Sequence, residues 1–144
     1  MPDELSTPKD VSEYLLARTG EAMMRGDFTA FARCFSLPYE METVDGRRRI
    51  ETRSSLRLTF DAVHAHLVKQ QVTLMARHCV SASFRGADEV VATHETRLIS
   101  RDILVQEPYP AFSILRRSKT EDWKIAFTSY VIMDSAELNS ALNA

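Results

Sequence analysis

Two histidines, His78 and His94, each interrupt a run of alternate apolar positions. Val72, Leu74, Ala76, Val80, Ala82 and Phe84 surround the first, and Val90, Ala92 and Leu98 the second. Histidine titrates near neutral pH. Two on one buried face would form an acid/base pair or a polar anchor at the base of a pocket, each lowering the other's proton affinity. The same pattern also fits two core histidines bonded to a hydroxyl or a backbone carbonyl. Tyr14 and Tyr39 carry hydroxyls able to donate to a ligand carbonyl, or to sit at the rim of a packed core. His78, His94 and Tyr14 are the candidate catalytic residues. No metal is expected. Cys34 and Cys79 are far apart, there is no CxxC, and a histidine-only site lacks a third ligand. Both cysteines read as free, buried thiols, with nothing near Cys79 to lower its pKa. No G-x-S-x-G, P-loop or G-x-G-x-x-G is present, so nucleotide or serine-hydrolase chemistry has no motif to rest on.

The elements that must position these groups are marked by local signals. Thr7-Pro8-Lys9-Asp10 opens a helix with a capping hydroxyl and a proline at its first position. Gly26 ends it and Asp27 caps a second, short helix, stopped by Pro38. A hairpin follows over Tyr39–Ile50, turning at Asp45-Gly46. A third helix spans Thr52–Gln70, with Leu56, Phe60, Val63 and Leu67 as its apolar stripe. His64 and His66 fall beside that stripe and are expected to be exposed. From Val72 the period becomes two. Strands are expected over Val72–Phe84, Glu89–Ile99, Ile103–Arg117 and Trp123–Ile132, the third interrupted by Pro108 and Pro110. Their short connections, the last at Ser118–Glu121, force antiparallel neighbours. Asp134-Ser135-Ala136-Glu137 is a capping box for a short terminal helix.

Matching apolar faces sets the register, because a slip of one residue turns every side chain over. Even-to-even matching of the first two long strands needs a loop of three or five residues around Gly86. The shorter loop puts His78 directly opposite His94; the longer makes them diagonal neighbours. Carried onward, the same face holds Thr96, Leu104, Gln106, Phe112, Ile114, Trp123, Ile125, Phe127, Ser129 and Val131. Tyr39, Thr96, Phe112, Phe127 and Ser129 are therefore the expected ligand-binding residues. The other face would carry Met75, Cys79, Val91, Ile99, Leu115, Ala126, Tyr130 and Ile132. That is more apolar than a solvated face requires, and it predicts a homodimer through the outer sheet face.

The 144 residues, 44% hydrophobic and 26% charged, make one soluble domain spanning residues 1–144. A net charge of −2 gives no electrostatic case for nucleic acid, and Arg47-Arg48-Arg49 reads as a solvated hairpin strand. No apolar run approaches the ~18 residues of a membrane span, and the start has no signal-peptide pattern. No membrane partner is expected, and a cytoplasmic location is. Helices followed by an antiparallel meander is an α+β layout.

Helix, helix, hairpin, helix and meander, with Gly26-Asp27-Phe28 between the first helices and Asp122-Trp123-Lys124-Ile125 opening the last strand, resembles the nuclear transport factor 2-like superfamily. The resemblance covers Val11–Ile132. It implies a cone-shaped, curved antiparallel sheet packed against three N-terminal helices, with a short C-terminal helix. It also implies a pocket between helices and sheet and dimerisation through the sheet; no cofactor is expected. Ketosteroid isomerases and epoxide hydrolases of this fold use cavity carboxylates. Here no Asp or Glu falls on the inner face assigned to the long strands. Scytalone dehydratase is similar in using cavity histidines and tyrosines, the residue types supplied by His78, His94, Tyr14 and Tyr39. The expected function is a small-molecule-binding pocket for an apolar or carbonyl-bearing compound. One alternative is a cofactor-free isomerase, dehydratase or cyclase using histidine/tyrosine acid–base chemistry; another is a non-catalytic dimerisation module.

Overall fold

The computed structural model describes residues 7–118, 122–132 and 135–144. Each helix starts where a short side chain can satisfy an orphan backbone N–H. Thr7 accepts from the Asp10 N–H to begin α1 (Pro8–Arg25), and Asp27 from the Ala30 N–H to begin α2 (Phe28–Ala32). Thr52 accepts from the Ser55 N–H to begin α3 (Arg53–Lys69). Gly26 closes α1 with φ +71°, the left-handed conformation that glycine adopts without a Cβ penalty. The cap of α4 (Ala136–Leu142) is Ser135, one residue later than the capping box predicts; Asp134 lies outside the described residues. Ser118 ends one described stretch, and the rest of the predicted connection, 119–121, lies outside the described residues.

The strands are β1 (Phe35–Thr43), β2 (Gly46–Ile50), β3 (Leu74–Phe84), β4 (Glu89–Ser100), β5 (Ile103–Leu104), β6 (Tyr109–Arg116) and β7 (Lys124–Tyr130). They form one curved, open sheet in the order β2-β1-β7-β6-β4-β3, with β5 paired to β4. The predicted α+β layout with three leading helices holds, with three corrections. The sheet is not wholly antiparallel, because β1 runs parallel to β7. Pro38 lies inside β1 rather than ending α2. The hairpin turns at Val44-Asp45, with Gly46 already paired to Thr43.

The predicted stripe of α3 is buried, from Leu56 through Phe60 and Val63 to Leu67. Its ring contacts reach α2, with Phe60 5.4 Å from Phe28 and 4.8 Å from Phe31 between centroids. His66 is buried, not exposed, and His64 stacks on Phe60 while its Nδ1 pairs with the Met23 carbonyl at 2.8 Å. α1 lies against β3 and β4, and α4 against α3. Cys34 and Cys79 are free and buried. In the arginine run only Arg47 and Arg49 face solvent, near Glu40, Glu42 and Glu51. Arg48 turns inward and donates to Thr59 Oγ1 and the Asn143 carbonyl. No helix among the described residues is long and apolar enough to cross a membrane.

Two β-bulges decide which side chains face the helices. In the β3–β4 hairpin Phe84 pairs with Val90 and Ala82 with Ala92, as the five-residue loop requires. Val80 is then an extra residue, and from Cys79, which pairs with His94, the facing set becomes odd. In β7 the extra residue is Ala126: Ile125 pairs with Leu115, but Phe127 pairs with Ile114 and Thr128 with Ser113. β6 also enters with the opposite parity, His94 lying opposite Ala111 and Thr96 opposite Tyr109. The break over 105–108 between β5 and β6 separates it from the preceding alternation.

Candidate functional site

Between the helices and the covered face of the sheet lies a cavity of about 90 Å³, several times the ~10–15 Å³ that one water requires. Leu15, Met23, Leu56, Phe60 and Val63 supply its apolar walls from the helices. Ser12, Thr19 and Thr59 add hydroxyls from the helices. The sheet supplies the titratable groups and further hydroxyls, with Arg77 on β3, His94 and Thr96 on β4, Tyr109 and Ser113 on β6, Thr128 and Tyr130 on β7, and Tyr39 on β1, beside apolar Met75, Leu115 and Ile125.

Arg77 is the only charged side chain among the described lining residues. Its Nη2 donates to the Leu16 carbonyl at 2.6 Å and to Thr19 Oγ1 at 2.5 Å, both neutral acceptors on α1. Gly20 makes room for it: a Cβ there would lie 3.1 Å from Nη2. Arg77 forms no ion pair among the described residues, and its Nε is buried without a hydrogen-bond partner. Burial lowers its pKa, and the groups that favour its charge are Tyr130, Tyr109 and Cys34 rather than a carboxylate. His94 is buried, and its Nε2 has no partner. Burial first, then the charges of Arg77 and His78, pull its pKa down to about 3, so the imidazole is neutral over the physiological range. Burial raises the pKa values of Tyr39, Tyr109 and Tyr130, keeping all three phenols protonated. Their hydroxyls interact in two groups, Tyr39 with Tyr130 and Thr128, and Tyr109 with Thr96. The polar wall thus offers one cation, one neutral imidazole and three phenolic hydroxyls. No Asp or Glu lines the cavity among the described residues.

Of the residues expected here, His94, Tyr39 and Thr96 line the cavity. His78 does not: the Val80 bulge pairs it with Glu95 and turns it to solvent on the opposite face, so the expected histidine pair does not exist. Tyr14 is half-buried against the core with Arg18 over its ring, and it is not a lining residue. Phe112, Phe127 and Ser129 lie on the outer face. Phe112 pairs with Ser129 beneath an edge contact to Phe127, and Ser129 Oγ donates to Glu42 at 3.0 Å. The Ala126 bulge turns the two β7 residues outward, and the parity of β6 turns Phe112. Leu104 is also exposed.

The reversal runs both ways. Met75, Leu115 and Tyr130, assigned outside, line the cavity, while Cys79, Ala126 and Ile132 are buried. Arg77, which shares the odd face of its strand with Met75 and Cys79, Tyr130, which the register sends outward, and Tyr109, which the sequence reading does not weigh, are the centre of the site. The available signal was Arg77 itself, a long cation between Met75 and Cys79 in a strand with two comparably apolar faces. Among the described residues no group of three His, Cys, Asp or Glu side chains is placed to hold a metal ion.

No protein-family model matches the sequence, and no curated protein does. Solved structures do match in fold. An NTF2-like protein with a cystatin-like fold from Novosphingobium aromaticivorans is 17% identical with a TM-score of 0.65, over 94% of this chain and 88% of that one. A ketosteroid isomerase-like protein from Erwinia carotovora atroseptica is also 17% identical with a TM-score of 0.65, over 90% of this chain and 99% of that one. A protein of unknown function with a cystatin-like fold from Nostoc punctiforme is 15% identical with a TM-score of 0.65, over 87% and 90%. The chain has the NTF2-like, cystatin-like fold.

Proposed function

We propose that the protein binds a small amphipathic molecule in the cavity between its helices and its sheet. The observation that carries this reading is that the titratable side chains of the described lining all stand on the sheet. Arg77, His94, Tyr109 and Tyr130 gather on the sheet side, opposite Leu15, Met23, Phe60 and Val63 on the helices. Buried polar groups are costly when unpaired, and Arg77 Nε and His94 Nε2 are both buried without partners. A ligand with one polar end would offset that cost. Such a pocket fits the small-molecule sites of many proteins, apolar with a few convergent polar groups.

Binding is favoured over acid–base catalysis by the same wall. With no carboxylate among the described lining residues, the candidate base is His94, and a pKa of about 3 makes it a weak one. Of the residues behind the homodimer expectation, Val91 stays on the outer face, while Met75, Cys79, Leu115, Ala126, Tyr130 and Ile132 turn inward or are buried. Val91, Phe112, Ile114 and Phe127 form the apolar part of the outer face. We propose that two copies pack there, sheet to sheet.

Thermal unfolding in the presence of a library of compact amphipathic compounds tests the binding reading, with a cavity-filled Ser113→Phe variant as control. Compounds should raise the wild-type melting temperature and leave the variant unmoved. A library that stabilises neither protein, or both equally, would overturn the assignment of ligand binding to this cavity.

A further inference from the structure

We propose that the ligand is a compact apolar monocarboxylate, its carboxylate held by Arg77 and its hydrocarbon body set among Leu15, Met23, Phe60 and Val63. The inference rests on the pocket reading above and adds the sign and number of the ligand's charges. Arg77 is half-buried, its Nε fully so, and a cation drawn that far from water is retained where something offsets its lost hydration. Arg77 has only neutral acceptors, Leu16 O and Thr19 Oγ1. On its other side a shallow groove is lined by Glu13 and Glu21, but neither forms an ion pair with it. Glu13 instead accepts from the Cys79 N–H at 2.5 Å.

Three features select the ligand class. One cation in the lining matches one negative charge; a phosphate dianion would leave a charge uncompensated. With Nη2 committed to α1, the unpartnered Arg77 Nε–H is a charged donor for one carboxylate oxygen, and the Tyr109 and Tyr130 hydroxyls are further donors on the same wall. With a cavity of about 90 Å³, the body must be short or a single ring. No carboxylate in the described lining repels such an anion.

Isothermal titration at pH 7 with benzoate, cyclohexanecarboxylate and hexanoate, each against its amide, tests the inference. Charged hydrogen bonds imply that the best acid binds roughly ten- to a hundredfold tighter than its amide. Arg77→Met should remove that preference, and Arg77→Lys should keep part of it. In the wild type alone, the Arg77 Nε–H resonance should move with the acid and not with the amide, which keeps the test valid if Arg77→Met does not fold. Acids and amides binding equally would overturn the anion inference and leave the pocket standing. Neither binding would overturn both.

Discussion

Arg77 Nη2 sits 2.6 Å from the Leu16 carbonyl and thereby ties the middle of β3 to the backbone of α1. The guanidinium therefore forms part of the wall that α1 and the sheet build together. Because Nη2 also donates to Thr19, its position is fixed by two acceptors one helical turn apart.

Gly20 is where this contact is most exposed to a test. At an ordinary mid-helix site, Gly→Ala gains about 1 kcal/mol of stability. Here the added Cβ would press on Arg77 Nη2 at 3.1 Å. We expect Gly20→Ala to gain nothing or to lose stability in urea denaturation. A full gain of about 1 kcal/mol would show that Arg77 is free to move aside.

His94 should make stability depend on pH. Its folded pKa of about 3 lies below the unfolded 6.5, so the unfolded chain binds the extra proton in between. The contribution is complete above pH 6.5 and is lost as pH falls, at no more than about 1.4 kcal/mol per pH unit. His94→Gln should flatten the profile between pH 4.5 and 6.5. His66, whose pKa burial also lowers, keeps a remainder in that range, and Glu89, held down by Arg85 and Arg116, acts below it. An unchanged slope in the variant would contradict the burial of His94.

His78 is the counterpart. It stands on the exposed face, opposite Glu95. His78→Ala should change stability by less than about 0.5 kcal/mol and leave ligand binding intact. A loss of binding comparable to that of His94→Gln would return both imidazoles to one site and remove the Val80 bulge from the account.

Two phenylalanines separate the core from the outer face. Phe60 is 2% exposed and packs on Phe28 and Phe31, so Phe60→Ala should cost about 3–5 kcal/mol. Phe112 is 38% exposed, and Phe112→Ala should cost well under half of that. If the sheet faces pair, Phe112→Ala should also shift the mass measured by light scattering from dimer to monomer. A wild-type monomer would end the dimer proposal.

The two halves of the chain differ in how legible they were. Helix starts are local: Thr7 and Asp27 each announce an N-cap and act as one, and the third helix begins at Thr52, where its pattern starts. The α3 stripe is equally local. The strands are not. Alternation shows that β3 has two faces, but Leu74/Ala76/His78 and Met75/Arg77/Cys79 are too alike for it to tell which is covered. A bulge adds one residue and reverses the answer without changing composition. Thus Trp123 and Ile125, before the Ala126 bulge, were placed on the covered face correctly, and Phe127 and Ser129, just after it, were reversed. Thr96 and His94 lie in β4, whose even set is buried from Val90 to Leu98, and their placement survived. The parallel pairing of β1 with β7 joins segments about ninety residues apart, beyond any local signal.

Entry of a ligand into the cavity between helices and sheet can be read from backbone amide NMR spectra titrated with benzoate and with benzamide. Shifts should concentrate at Leu15, Thr19, Thr96, Ser113 and Thr128, residues of four elements whose side chains converge on the cavity. Shifts confined to the outer-face residues Phe112, Phe127 and Ser129, or none at millimolar ligand, would contradict that entry.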